Sequence, residues 1–366
     1  MKKGWTYKKI KDVGEVIGGT TPSTSNPEFW GGNICWISPA ELHGEHYLYD
    51  SVKKITPKAI IAKSLKELPI GTVILSSRAP IGKIAINKVP MYCNQGFKCV
   101  VCGPELYNEY LYWWFYGKKD YLNSLGTGAT FPEISKTVVE NIVIPVAPMD
   151  EQRRIVSRLD AAFADIDALK ANADKQLSEA RQLFQAELTE CIRPKEGWEK
   201  KTLGDIVKIT HGKNQKEVQS PDGSYPIYGS GGTIMGYATD FLCEANTTIL
   251  GRKGSINNPQ FITERFWNVD TAFGISPRDN NNSKFIYYFI TSIDWNKKNT
   301  GTTLPSLTQL VVSSVPISVP PVDVQSQIVS RLDSLSTRIK QLEEVQRKTM
   351  AECDALKQAL LREVFE

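Results

Sequence analysis

Histidine is almost missing from this chain: three in 366 residues, at His43, His46 and His211. That scarcity leaves no Ser/His/Asp or Cys/His set for nucleophilic catalysis. No GxxxxGK string followed by Ser or Thr occurs, so there is no phosphate loop to house ATP hydrolysis or translocation. No apolar run approaches the roughly 20 residues that a bilayer span needs. The opening MKKGWTYKK is basic with no apolar stretch behind it, and no signal peptide is expected. Seven cysteines, an odd number without framework spacing, point to reduced thiols and a cytoplasmic location. Cys99 and Cys102 have zinc-like spacing, but they lie in an apolar strand pattern whose alternate residues face opposite sides. Buried free thiols rather than a metal are expected there.

Proline and glycine are absent from residues 149–193 and 322–366. Both segments read as long helices. In the first, Ile155, Leu159, Ala162, Ile166, Leu169 and Ala173 recur at alternating spacings of four and three. In the second, Ile328, Leu332, Leu335, Ile339 and Leu342 do the same, and Cys353, Leu356 and Leu360 resume the pattern. This is the narrow stripe of a helix that buries one seam against another helix. Pro148 and Pro321 precede the helices, with Asp150 and Asp323 as expected N-caps. Two such helices in one chain suit each other as antiparallel partners.

What is present in excess is repetition. IVSRLD occurs at Ile155 and again at Ile328. The likeness runs upstream without gaps: FPEISKTVV from Phe131 matches LPSLTQLVV from Leu304, and IPVAPMDEQ from Ile144 matches ISVPPVDVQ from Ile317. Both units open alike, Gly4-Trp5 then Asp12 and Gly197-Trp198 then Asp205. An internal repeat governs the fold and is sought before any finer reading. Its ends are alike and its middle diverges, as in two related domains with different working surfaces. The expected division is 1–148, 149–193, 194–321 and 322–366.

Charge follows that division. Residues 1–148 carry 17 Lys/Arg against 12 Asp/Glu, and 194–321 carry 13 against 11. The helical segments carry 7 against 9 and 7 against 8. The globular parts are thus positive, which permits contact with a polyanion.

Each globular unit mixes short strand-like runs with polar loops. Residues 71–78 and 83–86 read as neighbouring strands joined by a turn at Ala79, and 97–101 as another. Thr247–Gly251 occupies the matching place in the second unit. The aromatic runs YLYWWF from Tyr110 and FIYYFI from Phe285 correspond and read as core helices. Candidate ligand contacts lie in the loops, where glycine N–H groups and hydroxyls suit phosphate, and Arg, Asn and Gln suit base edges. In the first unit these are Thr20, Thr21, Ser23, Ser38, Arg78, Lys83, Asn94, Gln95, Thr127 and Thr130. In the second they are His211, Lys213, Tyr228, Ser230, Arg252, Lys253, Ser255, Thr302 and Thr303. Plain turn chemistry explains any one of these loops equally well. The string NNPQF from Asn257 lacks the second proline of an amino-methyltransferase motif and follows no glycine-rich cofactor loop, so it reads as non-catalytic.

The whole chain resembles the DNA-specificity subunit of type I restriction–modification systems. The resemblance rests on GTTPS from Gly19, FWGGNICWIS from Phe29, IGK from Ile81 and CNQGF from Cys93. In the second unit it rests on PIYGSGG from Pro226, GRKGS from Gly251 and WNVDT from Trp267. The Pro-rich entry into each helix completes it, with Val324-Gln325 standing where Glu151-Gln152 stands in the first copy. The resemblance implies an α+β fold: two mixed α/β target recognition domains joined by two long antiparallel coiled-coil helices, related by a pseudo-twofold repeat. It implies that each domain reads half of a split double-stranded DNA target. The helices would set the unread spacer and dock two modification subunits, with two restriction subunits where the system has them. The chain itself would be non-catalytic and bind no cofactor. S-adenosylmethionine, ATP and Mg2+ would belong to its partners, and no membrane is involved. Two other readings stay open from the residues: a self-contained methyltransferase with divergent motifs, and a coiled-coil scaffold that binds no DNA.

Overall fold

The computed structural model describes residues 4–78, 80–128 and 132–366. Ala79 of the expected turn and the candidate Thr130 lie outside them. The chain divides into two compact units, one made of residues up to Ala171 together with Thr349–Glu366, the other of Asn172–Lys348. The division falls within the long helices rather than at their starts.

In the first unit the elements run β1 (Thr6–Lys9), α1 (Ile10–Val13), β2 (Gly14–Gly18), β3 (Trp30–Ile37), β4 (Tyr47–Leu48), β5 (Lys53–Ile55), α2 (Pro57–Lys63), β6 (Val73–Leu75), β7 (Ile84–Asn87), β8 (Tyr92–Cys93) and β9 (Lys98–Cys102). There follow α3 (Asn108–Gly117), α4 (Lys119–Ser124), α5 (Lys136–Glu140), β10 (Val143–Val146) and α6 (Met149–Ile192). The strands form a five-stranded sheet in the order β2-β9-β6-β7-β4, a three-stranded sheet β5-β3-β8 and a ribbon β1-β10. The expected neighbours are antiparallel partners, Val73 opposite Ile86 and Leu75 opposite Ile84. The aromatic run is the core helix α3, whose Tyr110, Trp113, Trp114 and Phe115 are all buried.

The second unit repeats the plan with fewer residues. It contains β11 (Glu199–Thr202), α7 (Leu203–Ile206), β12 (Val207–His211), β13 (Tyr225–Tyr228), β14 (Ile234–Ala238), β15 (Thr247–Gly251), β16 (Gln260–Ile262), β17 (Trp267–Asn268) and β18 (Ala272–Pro277). It closes with α8 (Ser283–Thr291), α9 (Gln309–Ser313), β19 (Pro316–Val319) and α10 (Val322–Phe365). Its sheets are β12-β18-β15-β16, β14-β13-β17 and the ribbon β11-β19. The second aromatic run forms α8, with Phe285, Tyr288 and Phe289 buried.

Helices α6 and α10 are 44 residues each, about 66 Å at 1.5 Å per residue. Within each unit they pair antiparallel, because partners on one rise in number as those on the other fall. In the first unit Arg158 meets Glu363, Asp167 meets Lys357 and Lys170 meets Asp354. In the second, Asp174 meets Gln346, Arg181 meets Glu343 and Glu187 meets Arg331. The end of α10 is anchored in the first unit's core through Leu361, Val364 and Phe365, with Phe365 edge-on to Tyr110 at 5.2 Å.

The seam differs from the expected stripe in register. Ile155, Leu159 and Ile166 are buried, as are Ile328 and Leu332, while Leu335, Ile339 and Leu342 are half-buried. Leu169, however, is 55% exposed and Leu356 50% exposed. Phe163 and Leu177 are buried instead, and Lys170 and Lys357 occupy seam positions. A long aliphatic stem packs like an apolar residue while its ammonium reaches an acid on the facing helix. A stripe read from hydrophobic letters alone therefore skips these lysines. Asp150 and Asp323 are likewise inside the first helical turns rather than N-caps, where a negative charge favours the helix dipole.

Candidate nucleic-acid interface

In the first unit the loops converge on the turn that links β8 to β9, two strands of different sheets. Gly19 follows β2 so closely over this turn that a Cβ there would stand 1.9 Å from the Asn94 carbonyl oxygen. The next residue, Thr20, donates its N–H to Cys93 O at 2.9 Å and accepts from the Trp36 indole at 3.1 Å. Thr21 donates its hydroxyl to Gln95 Oε1. At the start of β9, Lys98 is nearly buried. Its ammonium donates to Ser77 Oγ, Gln95 O and Glu133 Oε1, each at 3.1 Å. Glu133 also lies 3.9 Å from the Arg78 guanidinium, and its backbone pairs with both Arg78 and Thr127. Thr20, Thr21, Arg78, Gln95 and Thr127 thus belong to one loop cluster.

The second unit builds its counterpart with other side chains. Gly212 passes over the β17–β18 connection, where a Cβ would meet Val269 O at 1.8 Å. Lys213 donates to Asn268 O at 3.0 Å and accepts from the Trp267 indole at 3.0 Å. Arg252 and Lys253 both donate backbone N–H groups to Thr271 O, and the Arg252 side chain donates to Asp270 O at 3.1 Å. Lys253 bridges Ser306, and Gly254 donates to Pro305 O at 2.9 Å. Ser255 lies beside Gly231, next to Ser230. Asn299 accepts from Gly301 and Ser306, which shapes the loop carrying the exposed Thr302 and Thr303.

Several candidate residues are occupied elsewhere. Lys83 donates to the Pro39 and Leu42 carbonyls at 3.0 and 2.7 Å and straps a loop. Asn94 accepts from Gly96 N and shapes its own turn. Ser38 donates to Glu41 at the start of a short 3-10 helix, and Ser23 lies exposed against Ser25. Tyr228 is in the core, its hydroxyl on Glu264 at 3.2 Å, with burial and that bond holding its pKa above the usual phenol range. His211 is paired with Gln309 at 2.6 Å. Asn257 accepts from Trp295 N. Among the described residues no group of three or more His, Cys, Asp or Glu could hold a metal ion. Cys99 faces Cys93, Sγ to Sγ 3.8 Å.

The repeated helix entries have a definite role. Gln152 and Gln325 are 0% and 1% exposed. Gln152 accepts from Tyr107 N and donates to Glu105 O and Ala147 O. Gln325 accepts from Asn282 N and donates to Asn281 Oδ1 and Pro320 O. Replacement of Glu151 by Val324 leaves this contact whole. Within IVSRLD, Asp160 and Asp333 accept from the aromatic helices α3 and α8. Arg158 and Arg331 each meet a glutamate of the facing helix.

The profile of the type I restriction modification DNA specificity domain matches residues 2–179 and again 195–352. The chain belongs to that family. It carries two copies of the specificity domain, one per repeat. It is 39% identical over 251 residues to the type I restriction enzyme MjaIX specificity subunit of Methanocaldococcus jannaschii. That alignment spans 62% of this chain and 57% of the relative. It is 25% identical over 361 residues to the EcoprrI specificity subunit of Escherichia coli, spanning 92% and 89%. Among solved structures, one concerning complex assembly and conformational transition of the type I R-M system superposes with a TM-score of 0.84 at 19% identity, covering 100% of this chain and 98% of that one. The HsdS subunit from Thermoanaerobacter tengcongensis superposes at 0.65 and 18% identity, covering 100% and 97%. These two likenesses speak for the fold.

Within this specificity family member, the loop residues missed from sequence are Lys98, Glu133 and Gln309. Lys98 sits in an apolar strand, where a lysine needs a buried acid or several carbonyls; that mismatch was the available signal. Glu133 and Gln309 carried none, because their partners are far along the chain.

Proposed function

We propose that this chain is the DNA-reading subunit of a type I restriction–modification complex, each unit reading half of a split duplex target. The observation that carries the proposal is the doubling. Two specificity domains in one chain each gather exposed donors on a Gly-supported loop cluster. No helix among the described residues is long and apolar enough to cross a membrane.

In this reading the paired helices set the unread spacer and dock two modification subunits, with restriction subunits added where the system has them. Adenine methylation, S-adenosylmethionine, ATP and Mg2+ belong to those partners, and this chain does no chemistry itself. What it supplies is selection: backbone and lysine contacts hold phosphates, while a few side chains read base edges.

A methyl-adenine map of cells expressing the chain with its modification partner tests the proposal directly. The expected result is one bipartite motif. Methyl transfer by the pure chain would overturn the non-catalytic role. Binding that lacks both sequence preference and a steep salt slope would favour a scaffold instead. Four residues inserted near Glu187 lengthen that helix by about 6 Å. Such a variant should shift the spacer by roughly one to two base pairs at about 3.4 Å each; an unchanged spacer removes the ruler role.

A further inference from the structure

The loop cluster of the first unit contains an arginine placed between a carboxylate and a glycine. We propose that Arg78 reads a guanine edge in the half-site of the first unit, with Glu133 and Lys98 as its positioning residues. The inference rests on the DNA-reading function proposed above.

Arg78 is bound to Glu133 by backbone pairing as well as by charge. Its side chain is 36% exposed and reachable. On its other flank a Cβ at Gly96 would stand 3.2 Å from Arg78 Nε, so the glycine lets the guanidinium lie close over the turn. Glu133 cannot swing away freely, because Lys98 holds its second oxygen. Lys98 in turn uses three donors on Ser77, Gln95 and Glu133, the full number an ammonium has. The acid that orients the fork is therefore held before DNA arrives, which reduces the rotamer freedom lost on binding.

The carboxylate also decides between a phosphate and a base. A negative group beside the guanidinium offsets the charge that a phosphate contact depends on. It does not impair a planar pair of N–H donors aimed at neutral acceptors. Guanine O6 and N7 present that acceptor pair in the major groove. In the second unit the same bridge joins Lys253 to Ser306. A flexible point charge with no orienting acid suits a phosphate. The two units thus differ in kind at one corresponding place.

The test is selection of bound duplexes from a random library by the full chain and by its Arg78→Gln, Glu133→Gln and Lys253→Gln variants, at two salt concentrations. Arg78→Gln should lower the preference for guanine at one position of one half-site by roughly 5- to 150-fold, leaving the other half-site intact. Glu133→Gln should lower the same preference although it makes the surface more positive, an outcome that a phosphate-contacting Arg78 would not give. Lys253→Gln should weaken all sequences evenly and reduce the salt slope by about one. Uniform weakening by Arg78→Gln with that slope change would overturn the inference, as would loss of both half-sites together. Absence of any sequence preference in the unsubstituted chain would overturn the DNA-reading function itself, and this inference with it.

Discussion

The indole nitrogen of Trp113 donates to the carboxylate of Asp160 at 2.8 Å. The last residue of the first IVSRLD thereby ties its helix to the aromatic helix of its own unit. In the second unit the Tyr288 hydroxyl donates to Asp333 at 2.6 Å, and Lys284 adds an ion pair at 2.6 Å. Asp160→Ala should cost about 1.5–2 kcal/mol and Asp333→Ala about 2–3 kcal/mol, since hydrogen bonds to charged groups contribute about 1.5–3 kcal/mol. Urea unfolding followed by tryptophan fluorescence reads both, and an equal or reversed order would contradict the assignment.

Gln152 and Gln325 are buried and each makes three hydrogen bonds. Gln152→Ala or Gln325→Ala strands backbone groups that then lack partners, at about 1–3 kcal/mol each. A loss near 3 kcal/mol is expected for either, measured by chemical denaturation. Changes under about 0.5 kcal/mol, the range of ordinary surface substitutions, would mean that the helix does not dock through this side chain.

Gly19 and Gly212 approach carbonyl oxygens too closely for any side chain. Gly19→Ala should displace the turn between β8 and β9 and weaken recognition by the first unit alone. Gly212→Ala should do the same for the second. Footprinting of each half-site distinguishes them, and simultaneous loss of both would point to global unfolding.

The seam register is tested by a pair of substitutions. Phe163→Ala empties a buried site and should cost about 3–4 kcal/mol. Leu169→Ala, on the exposed face, should change stability by less than about 0.5 kcal/mol. If Leu169→Ala were the more damaging, the stripe expected from the letters would be right after all.

Burial pushes the Cys102 and Cys243 thiols up to about 12. A raised folded-state value means that the folded chain keeps protons the unfolded chain releases. Stability is therefore full below the unfolded thiol value near 8.5 and falls as pH rises toward 12, by about 1.4 kcal/mol per pH unit for each such thiol. Denaturation midpoints between pH 8 and 10 should decline accordingly, and the buried Cys243 thiol should resist iodoacetamide at pH 8 until the chain unfolds. Rapid alkylation of Cys243 in the native protein would contradict its burial.

Much of this fold was legible in the letters. Glycine- and proline-free stretches with alternating spacings can only be long helices, and contiguous aromatic runs that recur in both halves mark core helices. The candidate site was legible only as loops. Thr21, Gln95 and Arg78 could be named because loop composition is local information, and the structure gathers them in one cluster. Lys83, Asn94 and Tyr228 were found for the same reason and are occupied by contacts within the fold. A letter cannot say whether its polar atoms are already taken.

The sequence by itself determined the repeat and the long helices, since both follow from spacing along the chain. Only the tertiary structure decided which lysines enter the seam, that the end of α10 completes the first unit's core, and that Glu133 stands between Lys98 and Arg78. Those relationships join residues 35 to more than 200 positions apart. Their energies depend on burial and direction, which chain order does not carry.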